Sequence, residues 1–190
     1  MTDSDDRDRG GKRERLVAGA GDLLHRQGVL ATTLAQVAEA ADVPPGNVYY
    51  YFKTKDDLVR AVINARVEQV RAMLDSLQAH RSPAARVKAL AHQWVEMREV
   101  VARYGCPFGT LAAELDRRED GLDREAAKPI GLILDWAEDQ FRQKGRRDAR
   151  ELAINLFAGV QGAALLANAF RDPDIMTGQV RHLERWIDAL

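Results

Sequence analysis

The chain has 190 residues, of which 46% are hydrophobic and 30% charged, which predicts a folded protein of one or two domains and excludes a disordered tail. The 28 Lys and Arg residues nearly balance 29 Asp and Glu residues, so any nucleic-acid-binding surface must be local. One cysteine excludes an internal disulfide framework, and the sequence shows neither a secretory signal nor a ~20-residue apolar run, so we expect a cytoplasmic protein without a membrane partner.

Nearly every segment has helical periodicity and none alternates like a strand, which predicts an all-α fold of about nine helices. We expect residues 1–11 to form a flexible arm and helix one to follow it, ending at Gly28 in a left-handed conformation. Helix two follows Thr33 as its N-cap, and a short third helix starts near Pro44–Pro45. A long fourth helix begins at Thr54, with an acidic variant of the capping box.

The rest of the chain is a series of amphipathic helices interrupted by Gly and Pro. One of them is predicted to run from Pro83 through Val101, and the last two start near Ala149 and Pro173. This pattern predicts two domains, with three short helices in residues 12–65 and a larger helical domain in residues 66–190.

The most informative stretch is Thr32–Leu58, with the sequence TTLAQVAEAADVPPGNVYYYFKTKDDL. Two short helices separated by a tight turn form a helix-turn-helix. Val48 would anchor the second helix inward, which leaves Asn47, Tyr49 and Tyr50 pointing outward. Packing of the tyrosines is the alternative, but helical spacing allows only one of three consecutive tyrosines to point fully inward. A helix of this size fits the ~12 Å major groove of DNA.

This stretch, together with its flanking helices, resembles the DNA-binding domain of the TetR family of bacterial one-component regulators. Gly46–Leu58, GNVYYYFKTKDDL, carries most of the resemblance, and Gly105–Leu115, GCPFGTLAAEL, is similar to a segment of one subgroup. The resemblance implies a ligand-responsive repressor that binds palindromic operator DNA as a homodimer and is released by a small, mostly apolar effector. The residues themselves show no set of nucleophile, base and orienting group, so we predict no catalytic residue, cofactor or metal.

The resemblance also implies a set of DNA contacts around the helix-turn-helix. The implied residues are Thr33, Pro45, Gly46, Asn47, Tyr49, Tyr50, Lys53 and Lys55. Thr33 would bond a phosphate at a helix N-terminus, and Gly46 would allow close approach to the DNA backbone. Asn47 and Tyr49 would face base edges or sugar-phosphate. The hydroxyl of Tyr50 and the side chains of Lys53 and Lys55 would reach phosphates. Pro45 stands where many family members carry a basic or hydroxyl residue, which puts one phosphate contact in doubt.

The second half of the chain supplies aromatic and flexible apolar residues that suit either a core or an effector pocket. The pocket candidates are Trp94, Met97, Val101, Phe108, Leu111, Trp136, Phe157 and Gln161. Small residues in the helix Ala149–Phe170, among them Gly159 and Gly162, allow close helix packing. We therefore predict a homodimer formed through the last two helices.

Cys106 offers a second route of regulation. It precedes Pro107 at a predicted helix start, where the helix dipole favours a thiolate that could sense electrophiles or oxidants. A buried, unreactive cysteine is the alternative. His92 and Glu96 lie one helical turn apart, but no third ligand is evident, so no metal site is predicted. A further alternative for the whole chain is an all-helical interaction module without DNA specificity.

Overall fold

The computed structural model describes the backbone of residues 3–190 and the side chains of residues 11–190. These residues form ten α-helices and no strand, which confirms the all-α prediction. In chain order the helices are α1 (Asp3–Ala31), α2 (Leu34–Ala40), α3 (Pro45–Tyr51), α4 (Lys55–Leu77), α5 (Pro83–Glu96), α6 (Arg98–Tyr104), α7 (Pro107–Leu115), α8 (Leu122–Gln143), α9 (Ala149–Phe170) and α10 (Asp174–Ala189).

The first helix is longer than the sequence pattern predicts. Helical backbone begins at Asp3, within the segment that we expected to be a flexible arm. The side chains of Arg7 and Arg9, the outer charges of that arm, lie outside the described residues. Gly28 has φ 82° and ψ 170°, so regular helical geometry is interrupted there, where glycine accepts the positive φ.

The helix predicted from Pro83 through Val101 is two helices, which accounts for a tenth helix where about nine were expected. Met97, with φ −100° and ψ 14°, separates α5 from α6. The carbonyl end of α6 is capped from α9, because Asn168 Nδ2 and Arg171 Nη1 donate to the oxygen of Ala102 at 3.2 and 3.1 Å. The short helix is therefore held by tertiary hydrogen bonds.

The chain divides into two compact units. The first unit comprises the residues up to Arg66 together with Leu111–Ala126, and the second comprises Val67–Thr110 and Ala127–Leu190. Residues 66–190 were predicted to form one domain, whereas the first compact unit includes Leu111–Ala126.

Segment 111–126 joins the first unit because its apolar side chains enter that unit's core. Leu111, Leu115 and Leu122 are 6%, 2% and 0% exposed, in the same cluster as buried residues of α1 to α4. Leu111 was a candidate for the effector pocket, and the structure instead places it in the core of the first unit.

Helix α9 is apolar on two sides. One side is buried in the core of the second unit, through residues such as Ala153, Leu156 and Val160. By length and composition alone, α9 could cross a membrane, although the sequence analysis expected no such run. Of the residues in its most apolar window, 44% are buried inside the protein.

Candidate nucleic-acid interface

Helix α2 starts with a reciprocal cap. Thr33 Oγ1 accepts a hydrogen bond from the Gln36 N–H at 3.2 Å, and Gln36 Oε1 accepts one from the Thr33 N–H at 2.9 Å. This capping box occupies the backbone N–H and the hydroxyl of Thr33, the residue that the resemblance assigned to a phosphate. Gln36 was not predicted to take part, although the Thr-x-x-Gln spacing is typical of a capping box.

The turn between α2 and α3 is compact. Asp42 adopts a positive φ of 51°, and the Val43 N–H donates to the carbonyl oxygen of Ala38 at 3.0 Å. Helix α3 then begins at Pro45, where the absent N–H leaves no intrahelical hydrogen bond unmade. The buried side chain of Val43, 4% exposed, fixes this turn in the core of the first unit.

The orientation of α3 is set by its buried residues. Val48 and Phe52 are 1% and 2% exposed, so the two helix faces are distinct. Tyr49 and Tyr50 lie on the outer face and are 58% and 62% exposed. Tyr50 also contacts the ring of Tyr51 edge-on, at 5.1 Å between centroids. Two exposed tyrosines on a short helix present both hydroxyl groups and ring surface to a partner.

The other predicted contact residues surround the same face. Gly46 is exposed, and a Cβ atom placed there would have no neighbour within 4 Å. Asn47 is half-buried. Lys53 Nζ donates to the carbonyl oxygen of Tyr49 at 3.1 Å, and Lys55 Nζ donates to that of Leu30 at 3.3 Å. Both ammonium groups are therefore bound to backbone oxygens in the protein without DNA.

Charged side chains tie segment 111–126 to the start of α4. Arg118 Nη2 lies 2.6 Å from Asp56 Oδ2 and also binds Asp120, and Arg60 Nε lies 3.2 Å from Glu125 Oε1. The hydrogen bond from Arg118 lowers the pKa of the Asp120 carboxyl below its ordinary value. These ion pairs all lie within the first unit.

In the second unit, part of the predicted effector pocket gathers around Cys106. The Trp94 ring lies 6.4 Å from that of Phe108 and 5.5 Å from that of Phe157, measured between centroids. Trp94 Nε1 and Gln161 Nε2 donate to Cys106 Sγ at 3.5 and 3.3 Å. The thiol is 4% exposed, as the buried alternative for this residue requires.

Glycines explain why the GCPFG stretch permits this arrangement. Gly105 has φ +83°, and a Cβ atom there would stand 2.5 Å from Thr110 Cγ2. A Cβ atom at Gly109 would stand 2.5 Å from Gln161 Oε1. Gln161 therefore reaches Cys106 across a surface that larger residues would block. Of the remaining pocket candidates, Val101 is buried in the same core, and Met97 and Trp136 pack against it.

The second unit also has a cavity of about 360 Å³ between α5 and α10. Its lining residues are Leu77, His80, Ala85, Lys88, Ala89, His92, Gln93, Glu96 and Glu184. None of the predicted pocket residues is among them. The described residues contain no group of three or more His, Cys, Asp or Glu side chains that could hold a metal ion, although His92 and Glu96 both line this cavity.

A helix-turn-helix with an exposed second-helix face, followed by a helical second unit, defines a class of DNA-binding regulators. Residues 16–62 match the family described as "Bacterial regulatory proteins, tetR family", and residues 83–183 match "Tetracyclin repressor-like, C-terminal domain". The chain therefore belongs to the TetR family of transcriptional regulators.

Relatives span nearly the whole chain. The HTH-type transcriptional regulator LmrA of Bacillus subtilis is 28% identical over 83% of this chain and 87% of that protein. TtgR of Pseudomonas putida is 26% identical over 93% of this chain and 88% of that protein. The crystal structure of regulatory protein TetR from Rhodobacter sphaeroides superposes with a TM-score of 0.79 at 25% identity, covering 90% of this chain and 96% of that one.

Proposed function

We propose that the chain is a cytoplasmic repressor that binds a palindromic operator as a homodimer and releases it when the second unit takes up a small, mostly apolar effector. The orientation of α3 carries this proposal. Val48 is buried in the core on one face of the helix, and Tyr49 and Tyr50 are exposed to solvent on the other. Lys53 and Lys55, the implied phosphate contacts, lie beside that face, where contacts to the DNA backbone would fix the orientation of α3.

Dimerisation is supported by an exposed apolar stripe along α9. Its large members are Ile154, Leu165, Leu166 and Phe170, which are 46%, 69%, 48% and 71% exposed. Gly162 lies in the same helix, and a Cβ atom there would have no neighbour within 4 Å, which leaves room for a partner helix. A second copy is the occupant that fits, because two recognition helices would then meet two operator half-sites.

Effector binding is supported by the aromatic cluster of Trp94, Phe108 and Phe157, which surrounds the polar groups of Gln161 and Cys106. Apolar walls with a few placed polar groups are typical of small-molecule sites. The cavity of about 360 Å³ between α5 and α10 is a second candidate location. A ligand found by thermal-shift screening would be assigned to one of these locations by measuring its affinity for two variants. Phe157→Leu would weaken binding at the aromatic cluster, and His92→Leu would weaken binding in the cavity.

The DNA-binding proposal is tested by selecting duplexes from a random library with the full-length protein, and then measuring gel shifts at fixed salt with excess competitor. We expect a palindromic product that wild type binds tightly and Tyr49→Ala binds more weakly. Tyr51→Phe, a change on the same helix at a residue that packs on the core, is the matched control. A failure to enrich any sequence would contradict the proposal and favour the interaction module.

The dimer is tested by light scattering at micromolar concentration, where we expect twice the 21.2 kDa mass of the chain. Leu166→Arg should shift the mass towards the monomer, because it places a charge within the stripe. Val100→Arg is the control, since Val100 on α6 is 47% exposed, almost equal to the 48% of Leu166, but lies outside the stripe. A monomeric wild type would overturn this part.

A further inference from the structure

Glu114, near the end of α7, binds the backbone just before the helix-turn-helix. Its Oε2 accepts a hydrogen bond from the Val29 N–H at 2.8 Å, and its Oε1 accepts one from the Leu30 N–H at 3.0 Å. Hydrogen bonds to a carboxylate are roughly twice as strong as those between neutral groups. Both oxygens are engaged, so the bend at residues 28–30 is held at two adjacent points.

The bend is shaped for this carboxylate. Gly28 has a positive φ, and a Cβ atom there would lie 3.0 and 3.1 Å from the two carboxylate oxygens of Glu114. Glycine therefore provides both the backbone conformation and the space. The side chain of Leu30 is 91% exposed, so packing contributes little to holding this residue. Its backbone is held instead by Glu114 on the N–H and by Lys55 on the carbonyl oxygen.

The bend ends at Leu30, three residues before Thr33, the N-cap of α2, so its geometry affects the direction in which α2 and then α3 leave α1. Helix α7 starts at Pro107 in the second unit and carries Glu114 in the first. We propose that Glu114 is a positioning residue for DNA recognition, because its carboxylate holds the bend from which α2 and α3 follow. The inference rests on the proposed DNA-binding function.

The test uses the full-length protein with Glu114→Ala, Glu114→Gln and the control Glu125→Ala. Glu125 lies in the same segment and also bridges to the rest of the first unit, through Arg60, but does not contact the bend. Residue-resolved amide exchange of Val29 and Leu30 reports the hydrogen bonds without DNA. The dissociation constant for the duplex selected by wild type reports recognition, and the melting temperature reports stability.

We expect Glu114→Ala to accelerate exchange of both amides and to weaken duplex binding by about tenfold, within the usual range of coupling between sites. Glu114→Gln should give amide exchange rates and a duplex affinity between those of wild type and Glu114→Ala, because its amide oxygen still accepts hydrogen bonds but carries no charge. This variant also provides the test if Glu114→Ala does not fold. Glu125→Ala should leave amide exchange and duplex binding near wild type.

Wild-type affinity in both Glu114 variants would overturn the proposal. Equal losses of duplex affinity in Glu114→Ala and Glu125→Ala, in proportion to the decrease in melting temperature, would also overturn it. The role of Glu114 would then be structural only. If wild type selects no duplex, the proposed function fails and the recognition role of Glu114 fails with it. The exchange measurement still shows in that case whether Glu114 holds the bend, so the two failures are distinguishable.

Discussion

Lys55, the first residue of α4, donates a hydrogen bond from Nζ to the carbonyl oxygen of Leu30, 3.3 Å away. This contact joins two sites that matter for DNA recognition, the bend before α2 and the side chain assigned to a phosphate. A DNA phosphate is an anionic acceptor and binds an ammonium more strongly than a neutral carbonyl does. We therefore expect Lys55 to exchange Leu30 for a phosphate when the operator binds.

Replacing Lys55 by Gln should weaken operator binding and flatten its salt dependence. Each phosphate contact contributes about 0.9 to the slope of log K against log salt, so each subunit should lose about that amount. Titrations between low and high salt measure the slope. Lys144→Gln is the control, because Lys144 Nζ also donates to a backbone carbonyl, that of Ile187 at 3.1 Å, but lies in the second unit. An unchanged slope in Lys55→Gln would exclude a phosphate contact.

Gly46→Ala should separate stability from DNA binding. The new methyl group meets no protein atom within 4 Å, and alanine favours a helix by up to about 1 kcal/mol over glycine. The variant should therefore unfold at an equal or higher denaturant concentration, yet bind the operator more weakly if the DNA backbone approaches this position closely. Gly131→Ala in α8 has the same open surroundings and is the control. Unaltered affinity in Gly46→Ala would show that DNA does not approach this residue.

Local features of the first unit could be predicted because neighbouring residues determine them. Pro45 starts α3, as predicted. The predicted cap of α4 is also present. Thr54 Oγ1 accepts a hydrogen bond from the Asp57 N–H at 3.1 Å, and Asp57 Oδ2 accepts one from the Thr54 N–H at 3.0 Å. The buried position of Val48 likewise follows from helical spacing. These patterns extend over only a few residues, so a single sequence contains the information needed.

Long-range contacts could not be predicted in this way. The hydrogen bonds of Glu114 join residues 85 and 84 positions apart, and no periodicity links them. Leu111 and Leu115 have the spacing of any amphipathic helix, which is the same whichever core they enter. For that reason Leu111 was predicted to line an effector pocket, while the structure places it in the core of the first unit.

The ion pairs of Arg118 should stabilise the first unit at neutral pH and lose this contribution at acidic pH. The hydrogen bond from Arg118 lowers the pKa of Asp120 in the folded protein, so this contribution is present above the ordinary carboxyl pKa and is lost as pH falls through the lowered value. Arg118→Gln should therefore reduce the urea midpoint at pH 6 more than at pH 3. The neighbouring Arg117 has a side chain 97% exposed, and Arg117→Gln is the control. An equal reduction at both pH values would contradict the assignment.

Cys106 should react slowly with thiol reagents in the folded protein. Its side chain is buried and accepts hydrogen bonds from Trp94 and Gln161, so a reagent reaches the sulfur only when the structure opens locally. Labelling should be at least about 100-fold slower than in the urea-unfolded protein, the ratio expected if opening costs about 2.8 kcal/mol. The chain has one cysteine, so the signal has a single source.

A positive control for this measurement is Val100→Cys in a Cys106→Ala background, which places the only thiol at a position 47% exposed. That thiol should react at close to the unfolded rate, because no opening is needed. If Cys106 in the otherwise native protein reacts equally fast, and modification abolishes operator binding, the thiol itself is the sensing group. Slow labelling without an effect on DNA affinity would leave noncovalent effector binding as the signal, since the buried sulfur would then serve only to pack Trp94 against Gln161.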